Sequence, residues 1–522
     1  MSRLPPAGVL LLIVCATAPV GVTEPARGAA SAESVTREHI VLEGLDEPHT
    51  PALLNRIRAF RYYIPGSPDP RTGLVLIPGL NSGPNTLDLL ARALVARGRT
   101  LEVWVVESRP SLLQDRRGVE AALDYHHPDF ALAYYFGRMP IDGQTFHRLD
   151  RNAAGYAAFW GLDMHLRDIR AVVQEVRRRF PETRVILGGH SLGAILAAMY
   201  AGYDFGRIPG PVPVPLAKDV PAPSEEAGAH DLQGLLLLDG LPLRIIPRLA
   251  PAEYTRGFRL PFVGRIPGVE DLVAPDSGRR VGPFTDTSSL ARTEDSLLFD
   301  VVAAYAYLRP DEASYFPFPP RRGLSITNEA LLGAILSDQM QSDLFIRTGV
   351  GSPRGVFQHI PDPEGIAPGG LLDLRSGQPA PGDTLIRWIP YDRSIPRGRV
   401  DLRMLEEAIL RPGGDFTQWY VPWRLVLDIG LGAGLDTSDP FARQYLSLTQ
   451  VRYTSLPLLI IGAGHGLIRN SGETVFYLRR IATPPQEVSM EYLPEYTHLD
   501  VEVAVDNPAV PRILGWLEAL AR

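Results

Sequence analysis

Ser191 stands at the centre of a pattern that could turn a serine hydroxyl into a nucleophile. The pattern is Gly189-His190-Ser191-Leu192-Gly193, a G-x-S-x-G that follows the apolar run VILG and precedes a stretch with helical spacing. The two glycines permit the strained backbone of a sharp strand-to-helix turn, which lifts the serine above the edge of a sheet. The helix start also places amides and the positive dipole end where an oxyanion would form. An ordinary glycine-rich turn is the alternative interpretation.

A nucleophilic serine needs a base, and histidine is the usual one. The chain has 11 histidines. His126 and His127, with two aspartates nearby, could suggest a metal site, but we interpret them as a surface loop because no second cluster has ligand spacing. His190 is adjacent to the serine, and we expect it to point elsewhere on the turn and to support the site by packing. We predict neither a metal nor an organic cofactor.

The elements that must position this serine alternate between strands and helices. Predicted strands lie at GLVLIP (73–78), TLEVWVV (100–106), RVILGG (184–189), GLLLL (234–238), LPLLII (456–461) and EVSMEYL (487–493). Helical spacing occurs in TLDLLARALVARG, in HLRDIRAVVQEVRRRF and in the closing stretch from 509 to 521. Apolar runs without alternation indicate strands that are buried on both faces. The predicted fold class is therefore α/β with a mainly parallel central sheet flanked by helices.

With Ser191 on such a turn, the chain resembles α/β-hydrolase-fold enzymes of the lipase and esterase type. The resemblance covers about 41–106, 162–240 and 456 to the C-terminus. In that fold the residues follow the order serine, acid, histidine. The resemblance therefore implies that His498 is the base, since LPEYTHLDVEVA lies between the last strand and the last helix. A surface histidine is the alternative.

The resemblance also implies an oxyanion hole made of two backbone amides. One amide follows the nucleophile and belongs here to Leu192. The other follows a glycine after an early strand, and Pro78-Gly79-Leu80 resembles that position, with proline where the family often has histidine. We therefore expect Leu80 to be the second donor.

The acid departs from the usual pattern of the family. After the penultimate strand the chain reads LLIIGAGHGL, so His465 stands where an aspartate is usual. Asp239, at the end of GLLLLD, could supply the carboxylate, as in some branches of the fold. Glu473, at the start of the following helix, could also reach back. We prefer Asp239, because the end of a strand beside the nucleophile strand holds a carboxylate rigidly; the alternative is that it merely caps a turn.

A long interval interrupts the alternation between Asp239 and Leu456. A structureless loop of that size inside a compact domain is implausible, so we interpret 242–450 as an inserted cap or lid. The hydrolase core would then comprise 33–241 and 451–522, with a smaller insertion at about 109–160. We expect most of the cap aromatics to form the cap's own core, although they could line an apolar substrate pocket; they include Phe316, Phe318, Trp388, Trp419, Tyr420 and Trp423.

The first 32 residues resemble a secretory signal peptide. Arg3 precedes an apolar run, and Ala30-Ser31-Ala32 resembles a cleavage site. The single cysteine, Cys15, lies inside this leader, so cleavage would leave neither disulfides nor a cysteine nucleophile. We expect a secreted or periplasmic protein, and the arginine-rich composition suggests a bacterial one. An uncleaved disordered leader is the alternative.

Together these patterns predict a serine esterase or lipase-like hydrolase that forms an acyl-enzyme on small-molecule or polymeric esters. A polyester depolymerase, a thioesterase, a peptidase or an acyltransferase could use the same residues. A non-catalytic binding protein is the rival from another class, and a dehalogenase is disfavoured because it would need aspartate at 191. The net charge of -7 and the pI near 5.9, without a polybasic run, give no basic surface for nucleic acid. No later apolar run reaches the length of a membrane span.

Overall fold

The structure is a computed structural model of the 522-residue chain. It describes residues 34–150, 153–207, 223–242, 248–260, 264–273, 282–285, 292–316, 326–338, 347–350, 357–361, 384–388, 399–435 and 441–522. The predicted signal peptide at 1–32 and the cap residue Phe318 lie outside these ranges.

Eight strands form one central sheet in the order β1-β2-β4-β3-β5-β6-β11-β12. β1 and β2 are antiparallel to their neighbours, and the other six strands pair in parallel. The strands are β1 (Thr36–Glu43), β2 (Arg56–Tyr63), β3 (Thr72–Ile77), β4 (Leu101–Glu107), β5 (Arg184–His190), β6 (Gly234–Leu238), β11 (Leu458–His465) and β12 (Val488–Thr497). Two antiparallel pairs lie between β6 and β11: β7 (Phe258–Leu260) with β8 (Gly264–Ile266), and β9 (Phe357–Pro361) with β10 (Thr384–Trp388).

Fifteen α-helices are described. Those of the first half are α1 (Asp88–Arg97), α2 (Arg117–Asp124), α3 (Asp129–Tyr135), α4 (Leu162–Arg179), α5 (Leu192–Ala201), α6 (Pro251–Arg256) and α7 (Val269–Val273). The others are α8 (Thr293–Leu308), α9 (Asn328–Leu336), α10 (Leu402–Ile409), α11 (Trp423–Gly432), α12 (Ala442–Tyr445), α13 (Ser471–Leu478), α14 (Asp500–Val503) and α15 (Ala509–Leu520). In the part of the chain that is described, none of these helices combines the length and apolar character needed to cross a membrane.

Helices cover both faces of the sheet, because successive side chains of each strand point to opposite sides. Val75 and Leu235 belong to the cluster that includes α4 and α5. Leu74 and Leu236 belong to the cluster on the opposite face, with α1 and α15. Burial on both faces explains why the parallel strands read as unbroken apolar runs. The predicted fold class is confirmed.

The structure corrects two details of the predicted elements. β1 and β2 were not predicted, because TREHIVLE and RIRAFRYY carry charged side chains toward solvent at the antiparallel edge of the sheet. α4 begins at Leu162 rather than near His165. The Leu162 amide donates to Asp428 Oδ2 over 2.9 Å, so a residue 266 positions away satisfies the first turn of the helix.

The chain between β6 and β11 packs with the shorter segment between β4 and α4. One hydrophobic cluster contains side chains of α2 and α3 together with side chains of α8, α9 and α10. Trp388, Trp419 and Tyr420 are buried in this cluster, whereas Trp423 packs in the cluster beside α4 and α5. Most of the described cap aromatics therefore fill hydrophobic cores, as expected. The boundaries of the cap at 242 and 450 stay a prediction.

Candidate active site

Ser191 occupies a strained turn between β5 and α5. Its φ is +55° and its ψ is -119°, a backbone conformation that residues other than glycine rarely adopt. A Cβ added to Gly189 would overlap the backbone of Gly193, and one added to Gly193 would overlap the carbonyl oxygen of Ile77. The spacing of the G-x-S-x-G pattern therefore follows from the tight packing of this turn, and Ser191 itself is only 7% exposed.

Asp239 lies beside Ser191 because their strands are neighbours. His190, the last residue of β5, pairs with Leu238, the last residue of β6, and the Ser191 amide donates to the Leu238 carbonyl over 3.0 Å. Each polar residue comes directly after its strand, at the carboxyl edge of the parallel sheet. Asp239 also has a positive φ of 38°, so both residues sit on strained backbone.

His498 contacts Asp239 through its ring. Its Nδ1 lies 2.6 Å from Asp239 Oδ2, and both side chains are buried. Because a carboxylate accepts at this position, Nδ1 carries a proton and Nε2 is the acceptor nitrogen of the neutral ring. This is the tautomer that a general base for a serine hydroxyl requires.

The Asp239 carboxylate receives three further hydrogen bonds from the end of β11 and the turn that follows it. The amides of Ala463 and Ile468 donate to Oδ1 over 3.0 and 2.8 Å, and the Leu467 amide donates to Oδ2 over 2.9 Å. Burial opposes ionisation, but the hydrogen bond from His498 and these amides outweigh it and hold the pKa of Asp239 below its ordinary value. Asp239 is thus a buried, ionised and fully partnered carboxylate.

The structure also describes Glu473, the alternative acid, and His465, which stands where the family usually has an aspartate. Glu473 lies half-buried in the first turn of α13. His465 is exposed at the end of β11, and its carbonyl accepts from Arg347 over 3.0 Å. The carboxylate that contacts His498 Nδ1 is that of Asp239.

The two expected oxyanion donors lie next to Ser191. Leu192 is the first residue of α5, and a Cβ built on Gly79 would lie 3.2 Å from Ser191 Cβ, so the 78–80 turn passes directly over the serine. Among the hydrogen bonds formed within the described chain, none uses the amide of Leu80 or Leu192. The Leu80 side chain is 48% exposed. Their role as donors stays a prediction.

A second histidine and a second carboxyl group lie behind His498. His190 Nε2 donates to the His498 carbonyl over 2.9 Å, and the two rings are 4.3 Å apart between centroids. His190 Nδ1 lies 3.2 Å from Glu502 Oε1. Burial lowers the pKa of His190 to about 3 and raises that of Glu502 to about 8, so both are neutral near pH 7. The packing role expected of His190 agrees with this contact; Glu502 was not predicted, because only the fold brings it to the turn.

The loop carrying Gly79 and Leu80 is tied to the insertion by backbone hydrogen bonds. The Gly83 amide donates to Phe416, the Asn85 amide to Asp415, and the Gln418 amide to Asn81, over 2.8, 2.9 and 2.8 Å. A β-bridge between 82 and 417 completes this contact. We call residues 415–418 the strap. Its Asp415 is buried and pairs with Arg116 over 2.7 Å.

A cleft opens beside Leu192 and Gly79. Its empty volume is ≈ 550 Å³, including a part open to solvent. The lining is mainly apolar and comprises Ile57, Ile77, Val106, Ile169, Leu192, Leu196 and Leu425, with a few polar groups, among them Ser108, His165 and Gln418. This composition is typical of a small-molecule site.

The histidine pair at 126–127 lies away from this edge of the sheet. His127 Nε2 is 2.8 Å from Arg309 Nη2, and its Nδ1 is 3.4 Å from Asp129. Among the described residues, no group of three or more histidine, cysteine, aspartate or glutamate side chains is arranged to hold a metal ion.

The strand order, the strained serine after β5 and the histidine after β12 together define an α/β-hydrolase fold. Neither the protein-family models nor the curated proteins with which the sequence was compared contain a match.

Solved structures with similar coordinates include a candidate lipase from Sulfolobus solfataricus, at 15% identity and a TM-score of 0.48, with 93% of this chain and 95% of that chain covered. They also include a peroxisomal α/β-hydrolase from Saccharomyces cerevisiae, at 10% identity and a TM-score of 0.36, covering 94% and 90%. An epoxide hydrolase from an endophytic Streptomyces has 12% identity and a TM-score of 0.38, covering 93% and 96%. The assignment of the fold rests on the sheet and its turns rather than on these similarities.

Proposed function

We propose that the protein is a serine hydrolase that cleaves carboxylic esters. The observation that carries this proposal is the 2.6 Å contact between His498 Nδ1 and Asp239, at the sheet edge where Ser191 is held on a strained turn. A buried carboxylate, an oriented histidine and a strained serine on neighbouring strand ends are the requirements of nucleophilic acyl transfer. A binding protein would gain nothing from keeping these three groups together.

In this proposal Ser191 Oγ attacks the ester carbonyl while His498 Nε2 takes its proton. The amides of Leu192 and Leu80 donate to the oxyanion that forms. His498 then gives the proton to the departing alcohol, which leaves an acyl group on Ser191. A water molecule that His498 deprotonates attacks this acyl-enzyme, and the carboxylic acid is released as the serine recovers its proton. Asp239 stays ionised throughout and stabilises the imidazolium.

The cleft beside Leu192 suits the acyl group. His498 protonates the leaving alcohol, so the alcohol lies on the β12 side of the serine. The cleft lies on the other side, because its lining includes residues of β2, β3 and β4. Its apolar lining supports an apolar ester as substrate. The cap at 242–450 and the secreted or periplasmic location, which rests on the leader at 1–32, are part of this proposal. Polyesters, thioesters and acyl transfer to another alcohol would use the same residues.

The proposal is tested by hydrolysis of 4-nitrophenyl esters with acyl chains of increasing length. We expect turnover that falls by at least about a thousandfold in Ser191→Ala and is unchanged in Ser67→Ala, which alters an exposed serine between β2 and β3. Circular dichroism of each variant establishes that it is folded. A folded wild-type protein that hydrolyses no oxygen ester or thioester would instead support the non-catalytic binding protein.

A further inference from the structure

The polar groups around the cleft are almost all committed to one another. Arg109 is fully buried and donates to Asp168, to Asn55 Oδ1 and to the Leu45 carbonyl. The Asp168 carboxylate also accepts from the Leu45 amide over 2.8 Å. Because each charge is neutralised by its partner, this ion pair offers no free cation for a carboxylate or phosphate in the cleft.

A second polar pair is committed in the same way. Gln418 Nε2 donates to Ser108 Oγ over 2.7 Å, and the Gln418 amide donates to the Asn81 carbonyl. The cleft therefore selects against charged groups, and a polar atom of an occupant needs a neutral partner in the lining.

His165 provides that partner. It projects from α4, is only 7% exposed and lines the cleft. Its Nδ1 lies 2.8 Å from the Gly161 carbonyl, to which it donates, so the proton of the neutral ring is on Nδ1 and Nε2 is an acceptor. Burial and the nearby Arg109 lower the pKa of His165 to about 4, against a smaller raising effect of the Gly161 carbonyl. Nε2 is not among the enclosed unpartnered atoms of the described residues, so water can reach it from the cleft.

An acceptor that loses its water to an occupant is left unpaired, which is unfavourable unless the occupant supplies a donor. An occupant of this cleft that matches its lining is apolar and carries one hydrogen-bond donor. A hydroxyl group fits, since it brings a donor without a charge. A purely hydrocarbon chain would leave Nε2 unpaired when it displaced water from the cleft.

We propose that the cleft binds the acyl group of a hydroxy acid ester, with the substrate hydroxyl donating to His165 Nε2. This inference rests on the proposed function, because it names the class of acid that is transferred to Ser191. His165 is a specificity residue in this scheme and takes no part in the proton transfers at the serine.

The test compares 4-nitrophenyl butyrate with the 2-hydroxybutyrate and 3-hydroxybutyrate esters. Each kcat/KM is divided by the rate of the same ester with hydroxide ion, which removes differences in intrinsic reactivity. We expect one hydroxy ester to be preferred by about three- to tenfold, as one neutral hydrogen bond provides. In His165→Phe the preference should fall to about one, whereas His230→Phe, a change at an exposed histidine, should keep the preference.

The wild-type comparison decides the inference even if His165→Phe does not fold. Hydrolysis of all three esters at equal corrected rates would overturn the hydroxy acid assignment and leave the esterase proposal intact. A preference that persists in folded His165→Phe would overturn the role of His165. Failure of the wild-type protein to hydrolyse any of the esters would overturn the proposed function, and the inference with it.

Discussion

Replacing Asp239 with asparagine tests the proposed triad most directly. Four donors surround the carboxylate: His498 Nδ1 and the Leu467 amide at Oδ2, and the amides of Ala463 and Ile468 at Oδ1. An asparagine has one NH2 group in place of one of these oxygens. In either orientation that NH2 group faces two donors, so two hydrogen bonds are lost and two N–H groups oppose it.

The size of the effect follows from this count. If the NH2 group faces His498, the imidazole must take the opposite tautomer or rotate, and Nε2 no longer accepts the serine proton. We expect kcat to fall by about 10³- to 10⁴-fold, as the loss of the correct tautomer does in serine hydrolases. If it faces Ala463 and Ile468, two buried amides are unpaired at about 1–3 kcal/mol each, and the free energy of unfolding falls by about 2–6 kcal/mol.

The assay is hydrolysis of the best 4-nitrophenyl ester, with thermal unfolding of the same samples. Glu473→Gln is the matched control, since it changes a carboxyl to an amide on α13, and its turnover should equal that of the wild type. The reasoning is refuted if Asp239→Asn keeps turnover within about threefold of the wild type while Glu473→Gln abolishes it. That result would restore the acid to the position that the family more often uses.

Two further predictions concern the turn and the residues behind it. Gly193→Ala should unfold at a markedly lower temperature than Gly515→Ala, a helical glycine with open space around it, because the new Cβ would overlap the Ile77 and Pro78 carbonyl oxygens. Equal melting temperatures would contradict this packing. Burial raises the pKa of Glu502 from 4.5 to about 8, although a hydrogen bond from Thr86 opposes the shift. Between those pH values the unfolded state holds fewer protons, so the free energy of unfolding declines as pH rises, by at most about 1.4 kcal/mol per unit. Glu502→Gln should make this decline shallower in urea titrations at pH 5 and 8, and an unaltered slope would show that Glu502 is ionised.

Much of the parallel sheet could be predicted because each of its strands is an apolar run in the sequence. Runs such as 73–78 and 234–238 are apolar throughout, since helices cover both sides of the sheet. The strands at 36–43 and 56–63 were not predicted, because arginine and glutamate interrupt their apolar pattern. Strands could thus be predicted from the sequence where both of their faces are buried, and less well on the antiparallel side of the sheet.

Some residues of the site could be predicted from local sequence patterns, whereas others depend on contacts between distant parts of the chain. The turn at Ser191 and the histidine after the last strand are local patterns. The choice between Asp239 and Glu473 depends on which strand end faces the His498 ring, and that is fixed by β6 lying between β5 and β11. The first turn of α4, completed by Asp428, and the contact of His190 with Glu502 likewise join positions hundreds of residues apart, which no local spacing reveals.

The strap bears on any attempt to engineer a smaller enzyme. Residues 415–418 lie in the insertion, yet they supply or receive the hydrogen bonds that hold 81–85 in place behind Gly79 and Leu80. Deleting the insertion to obtain a minimal catalyst would therefore release the loop whose amide is proposed to receive the oxyanion. A usable truncation has to retain the strap or replace its three backbone contacts, so substrate range is better altered by changing side chains of the cleft than by exchanging the insertion as a module.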